Sequence, residues 1–193
     1  MKDIISYFQE IGRLKKVKRK GWIIDGVKES ESVSEHSWRT AIIVMVLGKK
    51  RSMDLERAIK MALIHDIPEV RTGDIVEIGK INYALPGKGP SKEKFDKVSR
   101  EEKNNLEEEA ARKIFSEEHF KLWKEYQEGK TEEAKFVKEV EKIETVLQAL
   151  EYEIEGNYNS KTLHHYYVYG RDMVKDPELV KILDEIESRR PKK

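Results

Sequence analysis

Hydrophobic residues recur every three or four positions along most of the chain, a spacing typical of amphipathic helices. The clearest stripe runs through 136–150 and predicts one long helix over about 131–156. The same spacing elsewhere predicts an all-α fold, a single helical bundle. The other predicted helices cover about 3–18, 34–50, 54–66, 92–115, 117–128, 161–174 and 177–189.

Two segments interrupt this helical pattern. Residues 19–33 are predicted to form a loop or a short hairpin. Residues 70–92 are rich in glycine and proline and are the least regular part of the chain. A loop of that length in a compact domain is often functional, for example as a lid over a site.

A polar pair ends the apolar stripe that starts at Leu55. His65 and Asp66 fall on or beside the buried face of this predicted helix, and Pro68 disfavours helical backbone at Ile67. Buried polar side chains require partners, and an imidazole with a carboxylate can supply nitrogen and oxygen ligands to one divalent metal. We favour this interpretation over the alternative of a histidine that is satisfied within the core.

A second histidine lies upstream in a comparable setting. Ser32 or Ser34 can cap a helix that places His36 in its first turn, pointing from a rigid element. A solvent-exposed histidine near the cap is the alternative. A third, acidic ligand is expected on the long late helix, where Glu141 borders the apolar stripe, although spacing by itself does not select it. The early helix is predicted to carry these residues inward: Trp38, Ala41, Ile42, Met45 and Val46.

Four short blocks follow one another along the chain: ESVSEHSWR (31–39), MALIHD (61–66), TGDI (72–75) and LQALEYE (147–153). Together they resemble HD-domain phosphohydrolases, and the nearest branch is that of the 5′-deoxynucleotidases, which remove phosphate from deoxyribonucleoside 5′-monophosphates. The resemblance covers roughly residues 1–157, in the family's order. It implies a single HD domain over 1–193, with 158–193 as a C-terminal helical extension.

The resemblance also implies a ligand set for one metal ion. His36, His65 and Asp66 match three of the four family ligands. The fourth is an aspartate in the family, and Glu141 stands at its place here, with a carboxylate one methylene further from the backbone. Of the remaining histidines only His119 lies between the His-Asp pair and this acid, so a mononuclear site is expected. Mixed nitrogen and oxygen ligands suit Mn, Co, Ni, Fe or Zn.

Further residues match the catalytic and substrate-binding positions of the family. Glu69 matches the acid that helps to activate or position the attacking water. Asp74 matches a residue on the sugar and leaving-group side, with both a catalytic and a substrate-binding role. Arg19 and Trp22 match an Arg-x-Gly-Trp segment that holds phosphate and packs against deoxyribose, and His36 is also expected to contact the substrate.

Two other functions remain open from the sequence. One is a different HD phosphohydrolase chemistry on nucleoside polyphosphates, which calls for a larger basic cluster than Arg19, Lys20 and Arg39 offer. The other is a non-catalytic metal-binding helical module in which Glu141 marks lost activity. The presence of Glu69 and Asp74 argues against this second alternative, since a purely structural metal site would not need these extra acids.

Composition narrows the partners and the location. The net charge is +1 with 39% charged residues, which argues against broad nucleic-acid binding. The chain has no cysteine and no apolar run of membrane-spanning length, so we expect a cytoplasmic protein that does not bind membranes. His164 and His165 are expected to be packing or surface residues. The resemblance implies a homodimer. The amphipathic helices also have more apolar positions than a single core is expected to need: Phe115, Phe120, Leu122, Trp123 and Tyr126.

Overall fold

The computed structural model describes residues 3–76, 99–156 and 160–191, and its regular elements are helices. One isolated antiparallel bridge joins Lys18 and Ser32. A 3₁₀ helix follows the first α-helix at Arg13–Lys16. The α-helices are α1 (Ile4–Gly12), α2 (Lys20–Ile24), α3 (Val33–Gly48), α4 (Leu55–Ile64), α5 (Glu69–Thr72), α6 (Arg100–Ile114), α7 (Glu117–Glu128), α8 (Glu132–Ile154), α9 (Ser160–Met173) and α10 (Pro177–Ser188).

Side chains at the helix starts explain why the helices begin where they do. Ser32 caps α3 in a capping box, because its hydroxyl accepts from the Glu35 amide while the Glu35 carboxylate accepts from the Ser32 amide. Asp176 caps α10, where Pro177 takes the first helical position. At the other end of a helix, α7 stops at Gly129, whose φ of 64° is the left-handed conformation that glycine adopts without strain.

The long helix α8 forms the centre of the bundle, and α3, α4, α7, α9 and α10 pack around it. Its predicted apolar stripe is confirmed, since Val137, Val140 and Ile143 are almost completely buried. The predicted C-terminal helices are confirmed as α9 and α10. Because a Cβ at Gly170 would lie 2.5 Å from Val146 Cγ2, this glycine permits the close approach of α9 to α8.

The predicted buried face of α3 is wrong in four of its five residues. Ala41 is buried, but Trp38 and Val46 are each 62% exposed, and Ile42 and Met45 are also exposed. The face that packs against α4 and α8 consists instead of mostly small residues and one histidine, and small side chains let the backbones of neighbouring helices approach closely. Its members are Val33, His36, Ser37, Thr40, Ala41, Val44 and Gly48.

The N-terminal predictions need two corrections. The helix expected over 3–18 is divided into α1 and the 3₁₀ helix, and the loop expected over 19–33 contains α2, closed at its base by the bridge between Lys18 and Ser32. The segment predicted as a loop over 70–92 begins within α5. The part of this segment beyond residue 76 lies outside the described residues, and so does the first part of the helix that was expected to begin at 92.

Four of the five apolar residues expected to exceed one core are buried within the chain. Phe115, Leu122, Trp123 and Tyr126 are all at most 9% exposed, and Phe120 is partly buried against Trp123, so the four buried residues do not offer a surface for a second copy. None of the helices in the described ranges combines the length and the apolar content that crossing a membrane requires.

Candidate metal centre and pocket

Three predicted ligands converge where α3 meets the end of α4. His36 lies in the first turns of α3, His65 caps the C-terminus of α4, and Asp66 follows it. One ligand atom from each lies within 4.8 Å of the others. The Asp66 Oδ2 atom is 3.1 Å from His65 Nε2 and 4.0 Å from His36 Nε2. Because α4 stops at Ile64, the polar pair leaves the helix where it can face α3.

The hydrogen bonds of both rings leave their Nε2 atoms as the ligand atoms. His65 Nδ1 lies 2.8 Å from the Ala62 carbonyl oxygen, which can only accept, so the ring proton belongs on Nδ1. Nε2 of His65 is then a buried acceptor without a hydrogen bond in the described structure, facing a carboxylate oxygen that also accepts. Two acceptors in contact are stabilised by a cation between them, so the donor set fits a divalent metal.

The protonation state of His36 also suits a ligand. Burial, followed by the nearby Arg19 guanidinium, lowers the pKa of His36 well below its usual value, so the ring is neutral. Its Nδ1 atom is hydrogen-bonded to the Glu144 carboxylate. A neutral imidazole that donates from one nitrogen presents the lone pair of the other to a metal.

Glu144 holds His36 in place and is itself held by Arg39. The Glu144 side chain is completely buried, and its Oε1 atom accepts from Arg39 Nε at 3.0 Å and Nη2 at 2.8 Å. Burial raises the pKa of Glu144, and Arg39 acts in the opposite direction. Glu31 lies in the same cluster, where burial and then Glu144 raise the pKa of Glu31 to about 7. This second group of carboxylates positions the ring from its Nδ1 side.

Two further acids stand beside the three ligands. Glu69, in α5, is 3% exposed, and its Oε2 atom has no hydrogen-bond partner among the described residues. Burial, then the charges of Asp66 and Asp74, raise the pKa of Glu69 well above its ordinary value. Gly73, with φ 72°, turns the chain after α5, and Asp74 Oδ2 then accepts from the Lys20 amide at 2.7 Å.

The predicted phosphate and sugar residues lie on the same pocket. Arg19 Nη1 is 3.7 Å from Asp66 Oδ2, and Arg19 Nε is 3.9 Å from Glu31 Oε1. The Trp22 indole donates to Glu31 Oε1 at 3.0 Å and packs against the Tyr166 ring with centroids 4.0 Å apart. Only 1% of Trp22 is exposed, so a ligand would meet one edge of this ring and not a free face.

Glu141 is the one predicted ligand that the structure does not bring into the three-residue group. It lines the same pocket from α8. Its carboxylate accepts hydrogen bonds from the Tyr126 hydroxyl and the Lys142 ammonium group. A rotation of the glutamate side chain would be needed to bring this carboxylate to the group.

The pocket has a volume of about 360 Å³. Several residues that line it were not predicted from the sequence. Lys103 and Glu107 of α6 contribute one wall, although nothing in the spacing distinguishes them from the other charges of that helix. Helix α9 contributes another, with Tyr166 bonded through its hydroxyl to Asp25 Oδ2 at 2.7 Å. His165, expected to be a packing or surface residue, lines the pocket and lies 3.2 Å from the same carboxylate oxygen.

Comparisons with known proteins agree with this geometry. The sequence matches the family described as HD domain over residues 11–181. It is 34% identical to the 5′-deoxynucleotidase HDDC2 of Mus musculus, over 97% of this chain and 88% of that protein. It is 37% identical to the HDDC2 5′-deoxynucleotidase of Dictyostelium discoideum, over 79% of each. The solved PH0347 protein of Pyrococcus horikoshii superposes with a TM-score of 0.75 at 28% identity, covering 96% of this chain and 99% of that one.

These matches confirm the resemblance that the four sequence blocks carried. The family match also extends past residue 157, through α9 and into α10, whereas the blocks end before it. The division of the domain at residue 157 stays a prediction. Since the family matches most of the chain and several relatives exceed 30% identity over nearly its full length, this protein belongs to the HD-domain family of phosphohydrolases, on the branch of the 5′-deoxynucleotidases.

Proposed function

We propose that this protein hydrolyses deoxyribonucleoside 5′-monophosphates to deoxyribonucleoside and phosphate, with one divalent metal ion as cofactor. The observation that carries the proposal is the convergence of His36, His65 and Asp66 beside a pocket lined by Arg19 and Glu69, whose Oε2 atom has no hydrogen-bond partner among the described residues. The names of the curated relatives point to the same substrate class.

His36, His65 and Asp66 would hold the metal, and Glu141 is the fourth ligand that we propose. A divalent metal supplies two things at such a site, neutralisation of charge on a phosphoryl oxygen and a lower pKa for water. Imidazole nitrogen together with carboxylate oxygen supports Mn, Co, Ni, Fe or Zn as the ion.

The other residues contribute proton transfer and charge. A carboxyl with a raised pKa is a stronger base than an ordinary one, so Glu69 is suited to accept the proton that water loses as it attacks phosphorus. The guanidinium of Arg19 matches the oxygens of a phosphate in shape and charge. Asp74, fixed by the Lys20 amide, and the edge of Trp22 form the side that we assign to the sugar and leaving group.

We also propose that two copies associate through the exposed apolar face of α3. Trp38, Ile42, Met45 and Val46 recur at helical spacing and are between 38% and 62% exposed. Apolar patches of this kind mark interaction surfaces. Trp38→Glu is expected to convert a dimer to a monomer in light scattering after size exclusion, and a wild-type monomer would contradict this proposal. The cytoplasmic location stays a prediction.

The proposed activity is tested by phosphate release from deoxy- and ribonucleoside 5′-monophosphates, after chelation and re-addition of Mn, Co, Ni, Mg or Zn. Release should depend on metal, favour the deoxy substrates and disappear in His65→Ala. His119→Ala, which removes an exposed histidine of α7, is the matched control and should retain activity. Faster release from triphosphates would favour the polyphosphate chemistry, and a metal-loaded protein inert on every nucleotide would favour the non-catalytic module.

The role of Glu141 as the fourth ligand requires a separate measurement. If its carboxylate leaves Tyr126 and Lys142 to bind metal, Glu141→Ala should lower the affinity for Mn by at least about tenfold in calorimetry. Glu132→Ala, at an exposed position of the same helix, is the control. An unchanged affinity in Glu141→Ala would mean that three protein ligands hold the ion.

A further inference from the structure

Binding of a phosphate monoester in the pocket calls for more positive charge than the basic residues identified from the sequence bring there. A phosphate monoester carries close to two negative charges at neutral pH. Of the three basic residues considered from the sequence, only Arg19 lines the pocket. Arg39 lines a different cavity of about 720 Å³ and is bonded to Glu144. Lys20 contributes its backbone amide to Asp74, and its side chain is not part of the pocket lining.

Lys103 reaches the same pocket from α6. Its side chain is 14% exposed, and its Nζ atom donates to the Ile75 carbonyl oxygen at 3.0 Å and lies 3.4 Å from Glu107 Oε1. An ammonium group has three N–H donors arranged around the nitrogen. Among the described residues, the contacts to Ile75 and Glu107 use two of these donors and leave the third for an acceptor within the pocket.

The charges around Lys103 keep it protonated. Burial by itself lowers the pKa of Lys103, but the carboxylates of Glu107, Glu69 and Asp74 outweigh this effect and raise the pKa above its ordinary value. Because Lys103 donates to Ile75, the residue after Asp74, and α6 packs against α5, which carries Glu69, Lys103 lies at the end of the pocket that holds the candidate metal ligands.

The other lysines of the lining have different surroundings. The Lys138 ammonium lies 4.3 Å above the ring of Tyr126, and Lys142 is bonded to Glu141. Arg100, a further basic residue of the lining, lies at an exposed position at the start of α6. Lys103 is the lysine of the lining whose ammonium group donates to the backbone next to Asp74.

We propose that Lys103 is a second phosphate-binding residue of this site and acts with Arg19 on the phosphoryl oxygens of the substrate. The proposal rests on the proposed function, because it presupposes a phosphate monoester in the pocket. Loss of a hydrogen bond from a charged donor is expected to weaken phosphate binding by about ten- to a hundredfold.

The experiment compares Lys103→Gln with the wild type, both loaded with Mn. Glutamine can still donate to the Ile75 carbonyl oxygen but carries no charge. We expect the inhibition constant of inorganic phosphate and the KM for the nucleotide to rise by about ten- to a hundredfold, while binding of the deoxynucleoside, which has no phosphate, is unchanged. Lys113→Gln, at an exposed position of the same helix, is the control and should behave as the wild type.

Two results would overturn the proposal. Unchanged phosphate binding in Lys103→Gln would exclude a contact, and an equal loss of phosphate and nucleoside binding would indicate a purely structural role. If the glutamine variant does not fold, Lys103→Met, which keeps the apolar stem and removes the charge, is measured in its place and must show the same selective loss of phosphate binding. A wild type that binds phosphate but hydrolyses no nucleotide would instead refute the proposed function, so the two failures are distinguishable.

Discussion

Replacing Arg39 by methionine tests the support beneath the candidate metal centre. Arg39 donates two hydrogen bonds to one oxygen of Glu144, whose side chain has no exposed surface. Methionine keeps much of the apolar stem and removes the charge. The Glu144 carboxylate then stays buried with His36 and Glu31 as its remaining partners in this cluster.

The expected loss follows from this burial. Breaking a buried ion pair from one side costs about 3–5 kcal/mol, and the hydrogen bond to His36 favours the lower end, about 3 kcal/mol. An unfolding entropy of about 2.1 cal/mol/K per residue, multiplied by the 193 residues, is about 0.4 kcal/mol/K. The Tm should therefore fall by about 7 °C. Because Glu144 orients His36, affinity for Mn should also fall by about ten- to a hundredfold.

Urea and thermal unfolding measure the first effect, and calorimetry with Mn measures the second. The matched control is Lys60→Met, which breaks the exposed pair with Glu56 and should change the free energy of unfolding by less than about 0.5 kcal/mol. Adding Glu144→Gln to Arg39→Met removes the unpaired charge and should restore part of the stability but not the metal affinity. A loss below about 1 kcal/mol in Arg39→Met, with wild-type metal affinity, would refute the reasoning.

Three further predictions concern the sugar side, a packing contact and a helix cap. Trp22→Phe should lower the ratio of kcat/KM for deoxy over ribo substrates, and an unchanged ratio would contradict the role of this ring. Gly170→Ala should lose about 1–3 kcal/mol in urea unfolding because its Cβ would meet Val146, whereas the gain usual for alanine in a helix would show that α9 can shift. Hydrogen bonding to Arg51 lowers the pKa of Asp176 to about 2, so the Asp176 carboxylate stabilises the fold by about 1 kcal/mol or less above pH 3.8 and loses this effect as the pH falls through 2. The free energies of unfolding of Asp176→Asn and the wild type in urea should therefore converge as the pH falls between these values. A difference that stays constant with pH would contradict this prediction.

Local features of the sequence were enough to predict the helical architecture and to select three candidate ligands that the structure brings together. The apolar stripe of α8 recurs at helical spacing, so spacing was enough to predict the helix and the burial of this stripe. The polar pair His65 and Asp66 follows the end of a helix whose stop is encoded nearby by Pro68. His36 follows a serine cap that the sequence also displays. Each of these signals acts within a few residues, which is why no tertiary information was needed.

Tertiary structure decided which face of α3 is buried and what completes the pocket. Helix α3 is apolar on more than one side, and the small residues Ser37, Thr40 and Ala41 face the bundle because α4 and α8 need a close approach there. Lys103 and Tyr166 line the same pocket as the candidate ligands only because the fold brings α6 and α9 to its walls. Such contacts join residues far apart in the chain, and their energies depend on the shape and charge of both partners. The spacing of apolar residues within one helix does not predict these contacts.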